Sequence, residues 1–178
     1  MCIRDSPWTF HRTLSSKLPT RPSGTVIGTA SFTHCALSPS SPPTLLYTEE
    51  GTFTTTPGLS FSTRRKYVYQ LTPLFIVVRF FNDDALPRSS VDVGAGTNGE
   101  GIGGLFVEMG DVVLADTVWV AKNREKHLCG EDLYAADWTF GKGMVQQEKG
   151  DVWWQVRYGV KGPRKDYESV TRYERVEG

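Results

Sequence analysis

A sustained alternation near the C-terminal end of the chain constrains the fold more than any other feature. Over residues 152–160 every second side chain is large and apolar, and the positions between them include Gln155 and Arg157. The apolar side consists of Val152, Trp154, Val156, Tyr158 and Val160. A period of two over this length is typical of a strand with one buried face.

The same pattern recurs along the chain and predicts about ten strands. They are expected over residues 8–14, 25–34, 45–55, 60–71, 74–81, 105–109, 112–121, 133–140, 152–160 and 166–176. The chain also carries 5 Trp, 7 Tyr and 9 Phe, residue types that favour strands, and no segment has helical periodicity. The sequence therefore predicts an all-β fold, a single antiparallel up-and-down barrel in which the first strand pairs with the last and sheet edges are hidden.

The length of 178 residues matches one domain of roughly 100–200 residues. Residues 1–6 resemble a non-native leader and are set aside, so the barrel domain is expected over residues 7–178. Residues 35–44 are rich in Ser and Pro, and residues 82–104 are rich in Gly. Both segments are predicted to be flexible loops.

Charge and cysteine content exclude several classes of protein. Lys plus Arg and Asp plus Glu number 20 each, so the basic excess of a nucleic-acid binder is missing. No apolar run approaches the ~18 residues of a membrane span. The three cysteines show no zinc-ligand spacing, which predicts no metal centre, free thiols at Cys35 and Cys129, and a reducing, cytoplasmic location. The oligomeric state stays open.

Ionisable side chains lie on strand faces that are otherwise aromatic or apolar. Glu49 shares a face with Tyr47, Arg65 shares one with Tyr67, and Arg175 shares one with Tyr173. A buried charge is costly unless it is paired. Two interpretations stay open: an internal ionic network that fixes strand register, or a polar cavity that binds a small ligand.

Two loop segments are further candidates for function. His127, Cys129 and Asp132 lie within six residues, just before Tyr134. They fit a hydrogen-bonded turn, a ligand contact or a catalytic role, and they are too few for a four-ligand metal site. Gly162 and Pro163 predict a hairpin turn, after which Lys165 could attract an anion at the barrel rim.

Five motifs together resemble a known family of small bacterial and fungal proteins, domain-of-unknown-function family 6314. The motifs are Trp8-x3-Arg12, Leu46-Tyr47-x-Glu49-x-Gly51, Arg65-x-Tyr67, His127-x-Cys129-x2-Asp132-x-Tyr134 and Gly162-Pro163-x-Lys165-Asp166-Tyr167. The resemblance covers nearly the whole chain from Pro7 and implies a lipocalin-like, or calycin, barrel. The family has no established activity, so the resemblance leaves the function open.

We therefore expect a barrel that binds a small polar or anionic ligand in its interior, with no cofactor assigned. The predicted ligand-binding residues are Glu49, Arg65, Tyr67, His127, Asp132, Tyr134, Lys165, Tyr167, Tyr173 and Arg175. One alternative is an isomerase or cyclase in which burial raises the pKa of Glu49 and makes it a general base. A lesser alternative is a haem-binding barrel with His127 as axial ligand.

Overall fold

The computed structural model describes residues 7–35, 42–82, 101–146 and 152–176. Within these ranges the chain forms twelve strands and one short helix. In chain order they are β1 (Trp8–Ser16), β2 (Gly24–Cys35), β3 (Thr44–Thr55), β4 (Ser60–Leu71), β5 (Ile76–Phe81), β6 (Ile102–Met109), β7 (Val113–Ala115), β8 (Val118–Lys122), β9 (His127–Cys129), β10 (Asp132–Phe140), α1 (Lys142–Gln146), β11 (Trp153–Lys161) and β12 (Asp166–Arg175).

All strands belong to one antiparallel sheet in which neighbours along the chain are mostly neighbours in space. The order is β6-β5-β4-β3-β2-β1-β12-β11-β10-β8-β7, and β9 pairs with the beginning of β10, on the edge whose far end pairs with β8. β1 and β12 pair along their length, from Trp8 opposite Arg175 to Ser16 opposite Tyr167. The expected pairing of the first and last strands is therefore confirmed, as is the all-β, lipocalin-like fold class.

The two ends of the curled sheet approach each other beyond the end of β6. Met109 forms an isolated bridge with Asn123. The Gly110 amide donates to the Lys122 carbonyl at 2.8 Å, and the Arg124 amide donates to the Glu108 carbonyl at 2.9 Å. The two ends of the curled sheet therefore meet through this short contact. The β1–β12 ladder, in contrast, joins two strands in the middle of the sheet.

Side chains alternate between the interior and the surface as the sequence predicts. β10 alternates buried and half-buried residues along its whole length. In β11, Trp154, Val156 and Val160 are buried while Arg157 is exposed. The apolar face predicted over residues 152–160 is therefore confirmed as the inner face.

The strand boundaries differ from the prediction mainly around residues 112–129. The single strand expected over residues 112–121 is a hairpin, because Asp116 adopts a left-handed backbone conformation with φ of 53° between β7 and β8. β9 is an additional strand where a turn was expected. The helix α1, with Met144 fully buried, was also missed because one helical turn is too short to show a period.

One close approach between strands requires glycine. Gly28 of β2 lies opposite Gly51 of β3, and a Cβ atom on Gly28 would lie 2.1 Å from the Glu50 carbonyl oxygen. Glycine inside a strand marks such close approaches and sharp bends. This glycine pair allows the sheet to curl next to Glu49.

Apolar side chains fill one half of the barrel. The fully buried Trp8, Trp138, Phe140 and Met144 belong to this core, and the void among its aromatic rings is only about 20 Å³. The other half, where β1 ends and β12 begins, is hollow and holds the candidate site.

Most of each predicted loop lies outside the described residues. At their margins, β2 includes Cys35, β3 begins at Thr44 and β6 begins at Ile102, so these positions are strand. In the described part of the chain, Cys129 is an exposed free thiol, and no helix there is long and apolar enough to cross a membrane.

Candidate functional site

The hollow half of the barrel contains a cavity of about 320 Å³, which we call the inner pocket. A second cavity of about 250 Å³, the vestibule, adjoins it toward the end of the barrel. Leu14, Arg65, Lys165 and Tyr167 line both cavities. These four residues form the neck between them, so any molecule that enters the inner pocket from the vestibule passes two cations.

Every tyrosine of the protein lines the inner pocket. The chain contains 7 Tyr, and the lining includes Tyr47, Tyr67, Tyr69, Tyr134, Tyr158, Tyr167 and Tyr173. Strands β3, β4, β10, β11 and β12 each supply at least one, because period-two alternation points these positions inward. The pocket therefore has aromatic walls and several hydroxyl groups.

A buried ion pair forms one side of the inner pocket. Arg12 of β1 donates from Nη1 to Glu49 Oε1 at 2.7 Å and from Nη2 to Glu49 Oε2 at 2.6 Å. Its Nε donates to Thr171 Oγ1 at 2.7 Å. Both Arg12 and Glu49 are almost fully buried, so the bidentate geometry offsets the desolvation of two charges.

Tyrosine hydroxyls extend this ion pair into a network. Tyr47 Oη donates to Glu49 Oε2 at 2.5 Å and lies 2.8 Å from Tyr173 Oη. Burial, together with Tyr173 and Glu49, raises the pKa of Tyr47 well above 10. Burial likewise raises the pKa of Tyr173 to about 12. Both phenols are neutral at physiological pH, so Arg12 and Glu49 are the ionised groups of this cluster.

Glu49 is held in its ionised form, which overturns one expectation. Burial favours the neutral acid, but the hydrogen bonds and charge of Arg12, with help from Tyr47 and Arg65, lower the pKa of Glu49 below 4.5. The raised pKa expected under the general-base alternative is therefore wrong, because Arg12 stabilises the carboxylate more than burial disfavours it. A carboxylate with both oxygens in use is a poor general base, and the structure does not favour that role for Glu49.

Two further cations, Arg65 and Lys165, lie at the neck, outside the buried Arg12–Glu49 pair. Arg65 Nε lies 3.7 Å from Glu49 Oε1, and its side chain is 45% exposed. Lys165 donates to Tyr134 Oη at 2.8 Å and lies 3.7 Å from Asp132 Oδ2, and its side chain is 42% exposed. The hydrogen bond to Tyr134 raises the pKa of Lys165 above 10.5, so Lys165 is a cation at neutral pH.

Charges around the inner pocket leave a positive excess. Its lining holds the cations Arg12, Arg65 and Lys165 and the anion Glu49. Asp132, behind Lys165, reduces the excess but does not remove it. In the vestibule the further charges Arg21 and Asp166 balance. The neck is thus the electropositive part of the site.

The structure brings seven of the ten predicted ligand-binding residues to the inner pocket and leaves three outside. The seven are Glu49, Arg65, Tyr67, Tyr134, Lys165, Tyr167 and Tyr173. Asp132 is buried and supports Lys165 from behind. His127 lies on β9 opposite Tyr134, with the ring centroids 6.4 Å apart. Arg175 lies at the other end of β12, opposite Trp8.

Arg175 and His127 therefore do not have the positions that the sequence interpretation gave them. Alternation correctly assigned Arg175 to a face but could not tell how far along the barrel it lies. Because His127 does not line the pocket, the structure does not support it as an axial haem ligand. Among the described residues no cluster of three His, Cys, Asp or Glu side chains is suited to a metal ion.

Several pocket residues were missed by the sequence interpretation. Arg12, Tyr47, Tyr69, Tyr158 and Ser169 also line the inner pocket. Arg12 had a signal, since it shares a strand face with Trp8, Phe10 and Leu14. A lone charge among three apolar neighbours would have predicted a buried arginine with a carboxylate partner.

The curled antiparallel sheet and its interior cavity define a lipocalin-like barrel. The chain belongs to the family described as "Family of unknown function (DUF6314)", whose model matches residues 5–175. The family resemblance noted in the sequence is thereby confirmed.

A solved structure shares this fold. It is an S-type phycobiliprotein lyase, CPES, from Guillardia theta, with a TM-score of 0.54 and 10% sequence identity. The superposition covers 97% of this chain and 88% of the lyase chain. At this identity the likeness concerns the fold alone. A comparison with curated proteins gives no match.

Proposed function

We propose that this protein binds a small anionic molecule inside its barrel, with the anionic group held at the neck. The observation that carries the proposal is the pair of half-exposed cations, Arg65 and Lys165, which line both the inner pocket and the vestibule. Within the described residues Arg65 has one ion pair, at 3.7 Å, and no side-chain hydrogen bond. Its guanidinium therefore keeps donors for a carboxylate or phosphate.

The Arg12–Glu49 pair supports this assignment by elimination. Arg12 uses all three of its donor nitrogens on Glu49 and Thr171, so it has little capacity for a ligand. Its role is to neutralise Glu49, which would otherwise repel an anion. The attractive charge is left at the neck, where solvent and ligand reach it.

The size of the cavity agrees with a small-molecule site, and its walls are more polar than those of most such sites. Ligand pockets are typically about 300–1,000 Å³, largely apolar, with a few placed polar groups. The inner pocket, at about 320 Å³, is at the lower end of that range. The lyase with the same fold acts on a phycobiliprotein by its name, but the proposal depends on this chain's own cavity.

The proposed location is a reducing compartment such as the cytoplasm. The free thiol of Cys129 supports this, because extracellular proteins more often pair their cysteines. No partner other than the small molecule is proposed.

Native mass spectrometry of the purified protein tests the proposal, with exposed cations nearby in the sequence as matched controls. Arg65→Met removes the neck cation, whereas Arg64→Met removes an exposed arginine that pairs with Glu50 on the surface. Lys165→Met is matched by Lys161→Met, an exposed lysine on β11.

The wild type and both control variants should retain a small molecule, and Arg65→Met and Lys165→Met should lose it while staying folded. Equal retention in all five proteins would overturn the neck as the anion site. A wild type that retains nothing and binds no carboxylate on titration would overturn ligand binding itself.

A further inference from the structure

The walls of the inner pocket are built from aromatic rings that already pack face to face and edge to face. Phe106 stacks on Tyr67 with ring centroids 5.3 Å apart and an interplanar angle of 12°. It also contacts Tyr158 at 5.4 Å and Tyr134 at 5.6 Å. Such rings prefer offset stacked or edge-to-face partners, so the cavity between them suits a flat unsaturated molecule better than a bulky saturated one.

Four tyrosine hydroxyls in the pocket have no protein partner among the described residues. Hydrogen bonds there engage the hydroxyls of Tyr47, Tyr134 and Tyr173. The hydroxyls that make none are those of Tyr67, Tyr69, Tyr158 and Tyr167. The four residues line the inner pocket, so water or a ligand in the cavity can satisfy their hydroxyls.

The deeper of these hydroxyls stay protonated. Burial raises the pKa of Tyr69 and of Tyr158 well above 10. Burial also raises the pKa of Tyr167 at the neck. These neutral phenols can each donate a proton in a hydrogen bond, so a well-matched occupant presents acceptor atoms to them.

We propose that the inner pocket takes a flat, conjugated carboxylic acid whose ring system carries oxygen or nitrogen acceptors. The carboxylate lies between Arg65 and Lys165, and the ring system extends inward toward Phe106, Tyr69 and Tyr158. This assignment of ligand class depends on the proposed anion binding and adds two requirements, planarity and acceptors on the ring.

Four fluorescent or competing probes separate these requirements. Coumarin-3-carboxylate is flat, anionic and has ring oxygens as acceptors. Naphthalene-2-carboxylate keeps the shape and charge without ring acceptors, decahydronaphthalene-2-carboxylate keeps the charge without planarity, and neutral coumarin lacks the carboxylate. Titration of the full chain with each probe gives its Kd.

Coumarin-3-carboxylate should bind most tightly of the four. The paired variant Tyr69→Phe/Tyr158→Phe keeps both rings and removes both hydroxyls. It should weaken coumarin-3-carboxylate by roughly 3–10-fold for each lost hydrogen bond. Binding of naphthalene-2-carboxylate to the same variant should be unchanged, which controls for a structural effect of the substitutions.

The outcomes distinguish this inference from the proposed function. If the saturated acid binds as tightly as the flat acids, and Arg65→Met weakens all of them, anion binding stands and the planar class is wrong. If naphthalene-2-carboxylate matches coumarin-3-carboxylate, the acceptor requirement is wrong. If neutral coumarin binds as well as its carboxylate, or no acid binds, the proposed function fails and this inference fails with it.

Discussion

Arg12 and Glu49 are joined by two hydrogen bonds of 2.7 and 2.6 Å across the barrel interior, although strand β2 separates their strands. The pair thus connects β1 to β3 by side chains, in addition to the backbone ladders that run through β2. It neutralises the deepest charge of the site and fixes the side of the pocket that Tyr47 and Tyr173 complete.

Removing Arg12 should destabilise the protein strongly. Arg12→Met leaves Glu49 as a buried carboxylate without its main partner, an arrangement that costs about 3–5 kcal/mol. The free energy of unfolding, measured with urea, should fall by about that amount. Arg64→Met, on the outer surface, should change it by less than about 0.5 kcal/mol.

The double variant Arg12→Met/Glu49→Leu tests the reason for that loss. Because an apolar pair of similar volume often replaces a buried ion pair without cost, the double variant should recover most of the lost stability. A double variant as unstable as Arg12→Met alone would show that shape and packing, and not the unpaired charge, explain the effect.

Stability should decline in acid through Glu49. The folded pKa of Glu49 lies below its ordinary value of 4.5, so the folded state binds this proton less readily than the unfolded state. The contribution of Glu49 is therefore complete above pH 4.5 and is lost as the pH falls through the folded pKa. The difference in free energy of unfolding between wild type and Glu49→Gln should shrink between neutral pH and about pH 3. A difference that is constant over this range would contradict the lowered pKa.

The two adjacent tryptophans of β11 should differ in their importance. Trp154 is 3% exposed and stacks on Tyr173 with centroids 3.8 Å apart. Trp154→Ala should cost about 3–5 kcal/mol. Trp153 faces outward beneath Arg172, whose Cζ lies 4.0 Å from the ring centroid. Trp153→Ala should cost less, and equal losses in urea denaturation would contradict the assigned faces.

Deletion of residues 166–178 should abolish folding. This segment contains β12, which pairs with β1 on one side and with β11 on the other. Its loss exposes two inner edges of the sheet and removes Tyr167 and Tyr173 from the pocket. Near-ultraviolet circular dichroism and denaturant unfolding should show no cooperative transition. A truncated protein that unfolds cooperatively would show that the sheet closes without β12.

The strands and their inner faces were predictable because alternation with a period of two is a local property of the sequence. The long strands show it clearly, as β11 does around Trp154 and Val156. The hairpin at Asp116 was not predictable in this way, since its strands are only a few residues long. A single Asp is only a weak signal for a positive φ, because Asp is enriched there but seldom adopts it.

The site was predictable in its chemistry and less so in its geometry. Alternation places Glu49, Arg65 and Arg175 on inner faces, but depth along the barrel depends on register between strands. Register puts Arg175 beside Trp8, away from the neck, and puts Arg12 within reach of Glu49. The pairing partner of a buried charge is therefore a property of the folded sheet.

Because all seven tyrosines line one cavity, the ultraviolet absorbance of the protein depends on what that cavity contains. Each phenol that absorbs near 280 nm borders the space that a ligand would fill, and Tyr173 is also in contact with Trp154. Entry of a molecule changes the polarity around many of these chromophores at once. An ultraviolet difference spectrum of the unlabelled protein should therefore record occupancy directly, without a dye or an engineered probe.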